Sequence, residues 1–384
     1  MELLVLGGIL AVLTAWMFYN RKQFVWKRWL IFYFAMLPTK FGIPLMKKIA
    51  SKYPRLIYWL GITGIAVGYV GMAIVSYDLI KGVYSLLTNP QMTVGLVLPI
   101  KAKGVFYVPL LYWIISVLVV MIVHEGAHGV MVLAHKLKVK QTGIAFLGAI
   151  IPLIPAAFVE PDEAKLMKSS NTAKLSIFAA GPFANLLLGF ILLGVYLLAL
   201  PYFQSTIYEQ EGVQIVSFIG TDTPAQISGL AVGEVIQSID DDAVLEASEF
   251  KQAMDSKQIG DTIAVQTDKQ SLSIMLTEDK IEKDAFLGVN VQSKEGIKPL
   301  ILSEHPVSSR IAVWLKDLVY WLSLLNIGVG LFNLVPIGPI DGGRMLQVVL
   351  EKIMPQRNAL RVWKAVSLGL LAVIASNILY AFIG

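Results

Sequence analysis

The stretch "VVMIVHEGAHGVMVL", residues 119–133, sets two histidines and a glutamate inside a run that otherwise reads as lipid-facing helix. An ionisable group at bilayer depth costs at least ~2.5–3.5 kcal/mol on insertion scales and persists mainly where function needs it. The composition around it agrees with a membrane setting. Of 384 residues, 56% are hydrophobic and only 15% are charged, with a mean hydropathy of +0.66, against roughly 45–50% apolar in soluble domains. Cysteine is absent. That removes disulfides, thiolate metal sites and cysteine nucleophiles, and leaves His, Asp and Glu to hold any metal.

His124 and His128 are four residues apart, so on a helix they project from one face, one turn apart, and can grip one ion. Glu125 sits beside them, able to reach a metal-bound water without being a ligand. This is H-E-x-x-H, the arrangement in which a metal lowers the pKa of a water and the glutamate takes its proton. The bland alternative is a polar patch that packs helices together. Catalytic zinc usually keeps three protein ligands and one open position. Two other histidines are poor candidates for the third: His135 lies about two turns on, at a basic edge, and His305 stands next to Pro306. Asp341 in "FNLVPIGPIDGGRML" is the better one. Two prolines and three glycines there break the helix, and irregular backbone at membrane depth is tolerated only where protein or a water-filled cavity covers it.

Six segments are long and apolar enough to be read as spans: Leu3–Tyr19, Ile57–Leu79, Val105–Ala134, Ala173–Leu200, Ile311–Leu334 and Val362–Phe382. The first lacks a basic leader and reads as a retained signal anchor. The connection from Arg21 to Arg55 carries nine basic residues and no acidic one, which makes it cytoplasmic by the positive-inside rule and places both termini outside. Within it, "RWLIFYFAMLP" is too short to span and reads as a segment on the membrane surface or under the bundle. His128 then falls about 10 Å from the cytoplasmic end of its helix. Asp341, and Asn185 of "AAGPFANLLLG", fall in the same inner half of the bilayer.

Between the fourth and fifth spans the chemistry changes. Residues 203–305 hold 18 acidic and 7 basic residues, a net charge of −11. Short β-branched runs such as "VQIVSFI", "TIAVQT" and "FLGVNVQ", with the helical "EASEFKQAMDS" between them, predict a small β-barrel with one or two helices. This insertion resembles a PDZ domain through "TDTPAQISGLAVGEVIQSIDDDAV" at 221–244. The resemblance implies a peptide groove along "FLGVNVQ", with Phe286, Leu287 and Gly288, in a circularly permuted arrangement. Such a groove takes a peptide or a C-terminus by strand addition; a domain that merely blocks access is the other reading.

The chain as a whole resembles the site-2 proteases, intramembrane zinc metalloproteases, through "HEGAH" at 124–128, "GPFAN" at 181–185 and "NLVPIGPIDGG" at 333–343, in that order and with a PDZ domain between the second and third. The fold implied is a polytopic α-helical membrane protein of about six transmembrane helices, with a broken helix, a re-entrant β-hairpin near the site and an inserted PDZ-like domain. Its parts are an N-terminal membrane region (1–104), a first half of the catalytic core (105–202), the extracytoplasmic domain (203–305) and a second half of the core (306–384). Carried over by residue, His124, His128 and Asp341 hold one Zn2+ per chain, and Glu125 is general base and then acid. Asn185 either donates to the substrate carbonyl or oxyanion, or hydrogen-bonds a neighbour while Gly181 allows close helix packing. Asn333 carries the same two readings, with a substrate-holding role suggested.

The apolar but proline-broken "TGIAFLGAIIPLIPAAFVEP" at 142–161 corresponds to the family's hairpin, whose edge can pair with an unwound substrate; its other reading is an apolar loop packed in the bundle. The implied partners are a transmembrane protein substrate trimmed first by another protease, and membrane lipids, with no nucleic acid. Two readings of another class stand beside this one. A zinc transporter would show repeated halves, and none is found; a silent PDZ-bearing scaffold or chaperone would have lost a ligand or Glu125, and all four are present.

Overall fold

The computed structural model describes residues 2–29, 32–88, 95–148, 152–278 and 285–383. The chain divides into two compact units, Met1–Tyr196 with Asp317–Gly384, and Leu197–Lys316.

The first unit opens with α1 (Glu2–Tyr19), the hairpin β1 (Val25–Trp29) and β2 (Phe32–Thr39), then α2 (Ile43–Lys52) and α3 (Pro54–Thr88). A short parallel pair follows, β3 (Leu96–Leu98) and β4 (Val105–Tyr107), before α4 (Leu110–Ala134), β5 (Val139–Gly148), β6 (Pro152–Pro161), α5 (Glu163–Met167) and α6 (Asn171–Tyr202). Among the described residues five helices are long and apolar enough to cross a bilayer, lying in α3, α4, α6 and two later helices. The expected first span is shorter. α1 runs over 18 residues, Glu2–Tyr19, about 27 Å at 1.5 Å per residue, near the lower end of spanning length. Its end packs in a small cluster where Met17 meets Phe24, Ala35 and Phe146.

"RWLIFYFAMLP" does not lie as a separate surface segment. Apart from residues 30 and 31, which fall outside the described residues, it belongs to β1 and β2, and β2 pairs with β5 from Tyr33↔Gly148 to Thr39↔Thr142. The expected hairpin β5–β6 is thereby widened to a four-stranded antiparallel sheet in the order β1-β2-β5-β6; residues 149–151 at its turn lie outside the described residues. Aromatic and branched side chains favour strand, and pairing satisfies backbone groups that lipid cannot. β6 is left as the edge strand beside α4.

The second unit enters through a π turn at Phe203–Ile207. It contains β7 (Tyr208–Phe218), α7 (Pro224–Ile227), β8 (Val235–Ile239), β9 (Asp242–Ala243), α8 (Ala247–Asp255), β10 (Thr262–Thr267) and β11 (Ser271–Met275). β12 (Thr277–Glu278), β13 (Ala285–Phe286), β14 (Val289–Ile297) and α9 (Pro299–Glu304) complete it. The main sheet runs β11-β10-β8-β7-β14, so β14 is an edge. Alternating residues of these strands, among them Val213, Ile215, Ile236, Ile263, Val265 and Ile274, fill a dry core. Thr223 and Gln226 form a capping box that starts α7.

The chain returns to the first unit through α10 (Pro306–Phe332), α11 (Asp341–Ile353) and α12 (Gln356–Ile383). α6 and α10 cross with their backbones close. A Cβ on Gly189 would stand 2.6 Å from Ile327 Cγ1, and one on Gly330 would stand 3.1 Å from the Pro182 carbonyl. α10 stops at Phe332 because Pro336 and Pro339 supply no N–H to continue it. The Gly342 N–H then donates to the Asn333 carbonyl at 2.8 Å, folding the break back so that Asp341 opens α11.

Candidate metal centre

Two helices, α4 and α11, bring three polar side chains to one point. His124 Nε2 lies 3.1 Å from Asp341 Oδ2, His128 Nε2 lies 3.2 Å from the same oxygen, and the two Nε2 atoms are 3.1 Å apart. His124 is 8% exposed and both partners are largely covered. Ligands held ~2.0 Å from a tetrahedral zinc are separated by about 3.3 Å, so this near-equilateral triangle fits three corners of such a tetrahedron. The donor set, two imidazoles and a carboxylate, suits zinc equally well. No second cluster of three potential ligands occurs among the described residues.

The surroundings orient these groups. His128 Nδ1–H donates to the Ile177 carbonyl of α6 at 2.7 Å; a carbonyl can only accept, so Nδ1 carries the hydrogen and Nε2 keeps its lone pair for a ligand. Gly181, one turn further along α6, leaves the space the rings need. A Cβ there would come within 2.4 Å of His128 Nε2 and 2.6 Å of His124 Nε2. Asn185, a further turn on and fully buried, places its amide 3.2 Å from His124 Nδ1. Glu125 stays out of the triangle. Its Oε2 accepts from the Val159 N–H of edge strand β6 at 2.9 Å, which fixes the carboxylate beside the ligand face. One turn on from Glu125 along the same face of α4, Gly129 packs against Met46 of α2.

The remaining expected residues are elsewhere. His135 hydrogen-bonds Ser176 Oγ at 2.7 Å, and burial pushes its pKa down; His305 is exposed in the second unit. Asn333 turns its amide back onto its own helix, donating to the Val329 carbonyl at 3.0 Å, and acts through its main-chain tie to Gly342. Phe286 pairs with Thr277 between β13 and β12. Leu287 lies in the core, and Gly288 sits at φ +84° where a Cβ would strike Thr223. The Leu287 and Gly288 carbonyls accept from Ala225 and Ile219.

Sequence reasoning missed Val159 and Ile177. Ile177 shares the i, i+4, i+8 face of α6 with Gly181 and Asn185, a signal that could have found it; nothing local marks Val159. Beside Val159 a cavity of about 390 Å³ is lined by Lys27, Gln141, Glu160, Glu163 and Arg344 among others. Its rim carries the Arg344–Glu163 ion pair at 3.2 Å.

Fold and site together describe a chain with five apolar helices of membrane-crossing length among the described residues and a His–His–Asp cluster able to hold a metal ion, with the Glu125 carboxylate at its side. The sequence model of peptidase family M50 matches residues 112–375, and the chain belongs to that family. An uncharacterized protein of Methanocaldococcus jannaschii is 27% identical over 335 residues, 85% of this chain and 80% of that one. A zinc metalloprotease of the same organism is 39% identical over 79 residues, 19% of this chain and 22% of that one. A provisionally named zinc metalloprotease of Staphylococcus aureus is 26% identical over 244 residues, and the chain spans 55% of that relative's length with 51% of its own. Among solved structures, the PDZ domain of an SdrC-like protein from Listeria monocytogenes is 25% identical, with a TM-score of 0.20, covering 22% of this chain and 90% of that domain.

Proposed function

We propose that this peptidase is a zinc-dependent endopeptidase that hydrolyses a peptide bond in or near a transmembrane segment of a membrane-protein substrate. The observation that carries the reading is the His124–His128–Asp341 triangle with Glu125 held next to it, inside a unit whose long helices are apolar. The residues that would hold the zinc are those three, one ion per chain. A zinc there supplies Lewis acidity and a water acidic enough to lose a proton near neutral pH.

Glu125 takes the proton from the attacking water and passes it to the amide nitrogen as the C–N bond breaks, a transfer worth about 10²–10⁴-fold. The attacked peptide must be extended. An edge strand offers main-chain groups for that, and β6 is the edge of its sheet and touches Glu125 through Val159. Positive-inside charge supports a site toward the cytoplasmic leaflet and an extracytoplasmic inserted domain, whose edge strand β14 would take up, by strand addition, a substrate already trimmed by another protease.

The test is cleavage by the purified chain in proteoliposomes of a single-span substrate, with the fragments identified by mass spectrometry. The reading expects a cut inside or flanking the apolar span, absent with Glu125→Gln. Cleavage confined to soluble peptides, or a Glu125→Gln variant as active as wild type, would overturn it.

A further inference from the structure

The two ligand histidines both present Nε2 to the triangle, and both turn Nδ1 toward α6. For His128 the partner is the Ile177 carbonyl at 2.7 Å. For His124 it is the Asn185 amide at 3.2 Å. We infer that Asn185 is the positioning residue of His124: in the metal-holding state its amide oxygen accepts from Nδ1–H, as the Ile177 carbonyl does for His128. This rests on the metal-centre reading above and refines it.

The chemistry leaves little freedom. An imidazole that ligates through Nε2 must carry its hydrogen on Nδ1, so the group facing Nδ1 has to accept. The Asn185 side chain is fully buried, and its Oδ1 has no hydrogen-bond partner among the described residues. Both ends of an amide have the same shape, so a half-turn about the Cβ–Cγ bond brings Oδ1 to Nδ1. Without a metal the opposite arrangement also closes: Nδ2 donates to a bare Nδ1, and Nε2–H donates to Asp341. Asparagine serves both states, which neither leucine nor aspartate can.

This placement argues against Asn185 as the donor to a developing oxyanion. The two nitrogens of an imidazole point to opposite flanks of the ring, and Asn185 stands at Nδ1, behind His124 as seen from the triangle. The three α6 positions Ile177, Gly181 and Asn185, spaced by one turn each, then form a single outer shell: one carbonyl, one gap and one amide. That explains why "GPFAN" needs its first and last residues at that spacing.

The experiment measures zinc affinity of the full-length chain in detergent by competition with a chelator, in wild type, N185L, N185A and N185D, each checked for helix content. An outer-shell partner is worth about 10–100-fold in metal affinity, so N185L and N185A should lose that much. N185D supplies a fixed acceptor and should hold zinc as tightly as wild type or more so. N185L that binds zinc like wild type while losing cleavage would overturn the assignment in favour of an oxyanion donor, and N185D as weak as N185L would overturn it in favour of packing. A wild-type chain that holds no zinc would overturn the metal centre itself, a result distinguishable from either.

Discussion

The two units of this chain are built inside out relative to each other. In the membrane unit large apolar side chains such as Leu4, Trp59 and Ile122 are exposed, and Ser116, His124, Ser176, Asn185, Asn326 and Asn377 are buried. In the inserted unit Val213, Ile236, Ile263 and Ile274 are sealed in the core, and charged residues other than Glu234 lie at least partly exposed among the described residues. The solvent explains the inversion. Where lipid surrounds the helices, apolar surface can stay outside, and polar side chains join the apolar ones in the interior. Two of those buried polar groups, His124 and Asn185, meet at the candidate metal centre. In the inserted unit the buried Glu234 merely completes a hydrogen-bonded set with Thr267 and Gln270.

If that contrast is right, substitutions should affect chemistry in one unit and stability in the other. Glu125→Gln is the largest expected effect: cleavage falls about 10³-fold while the chain keeps its zinc, read by turnover and metal analysis on one preparation. Gly181→Ala should come next. Its methyl would occupy the space at both Nε2 atoms, so zinc affinity should drop about 100-fold or more, given that loss of outer-shell support alone costs 10–100-fold. Gly194→Ala on the same helix meets nothing within 4 Å and should leave zinc affinity unchanged; a comparable loss there would mean that α6 is simply intolerant of alanine.

Ile236→Ala in the inserted unit removes a fully buried side chain and should cost that domain about 2–5 kcal/mol, seen as faster hydrogen exchange in β7, β8 and β10 of the full chain, with zinc content untouched. Loss of zinc in that variant would break the contrast. The smallest effect is a pH dependence. Lys257 lies 2.8 Å from Asp240 and, through that hydrogen bond, holds its carboxyl below the ordinary value. A depressed carboxyl stabilises the fold above its unfolded pKa and loses that contribution as pH falls through the folded one. Asp240→Asn should therefore weaken the domain slightly at neutral pH, and the difference from wild type should close under acid conditions.

How much of this could be read from sequence follows the same physics. "HEGAH" and "PIDGG" were legible because helix periodicity and ligand chemistry are local: four residues make one turn, and two prolines end a helix. "RWLIFYFAMLP" was not, since an apolar run without clear period suits a strand as well as a surface segment. Its partner, β5, lies more than a hundred residues away, at Thr39↔Thr142. The position of Asn185 on its helix was legible, but its target was not, because only the packing of α6 against α4 decides that it meets His124. The Val159–Glu125 bond left no local trace, as it depends on β6 being an edge.

The most direct test of the central claim, that the His–His–Asp triangle is the metal centre of a protease, is chelation and reconstitution. The purified chain is stripped, zinc is added back, and cleavage of a membrane-reconstituted single-span substrate is followed in wild type and Asp341→Asn. The account predicts about one zinc per wild-type chain, cleavage lost on stripping and restored by zinc, and no restoration for Asp341→Asn at the same zinc concentration. Cleavage that survives complete removal of metal, or an Asp341→Asn variant restored as readily as wild type, would contradict it.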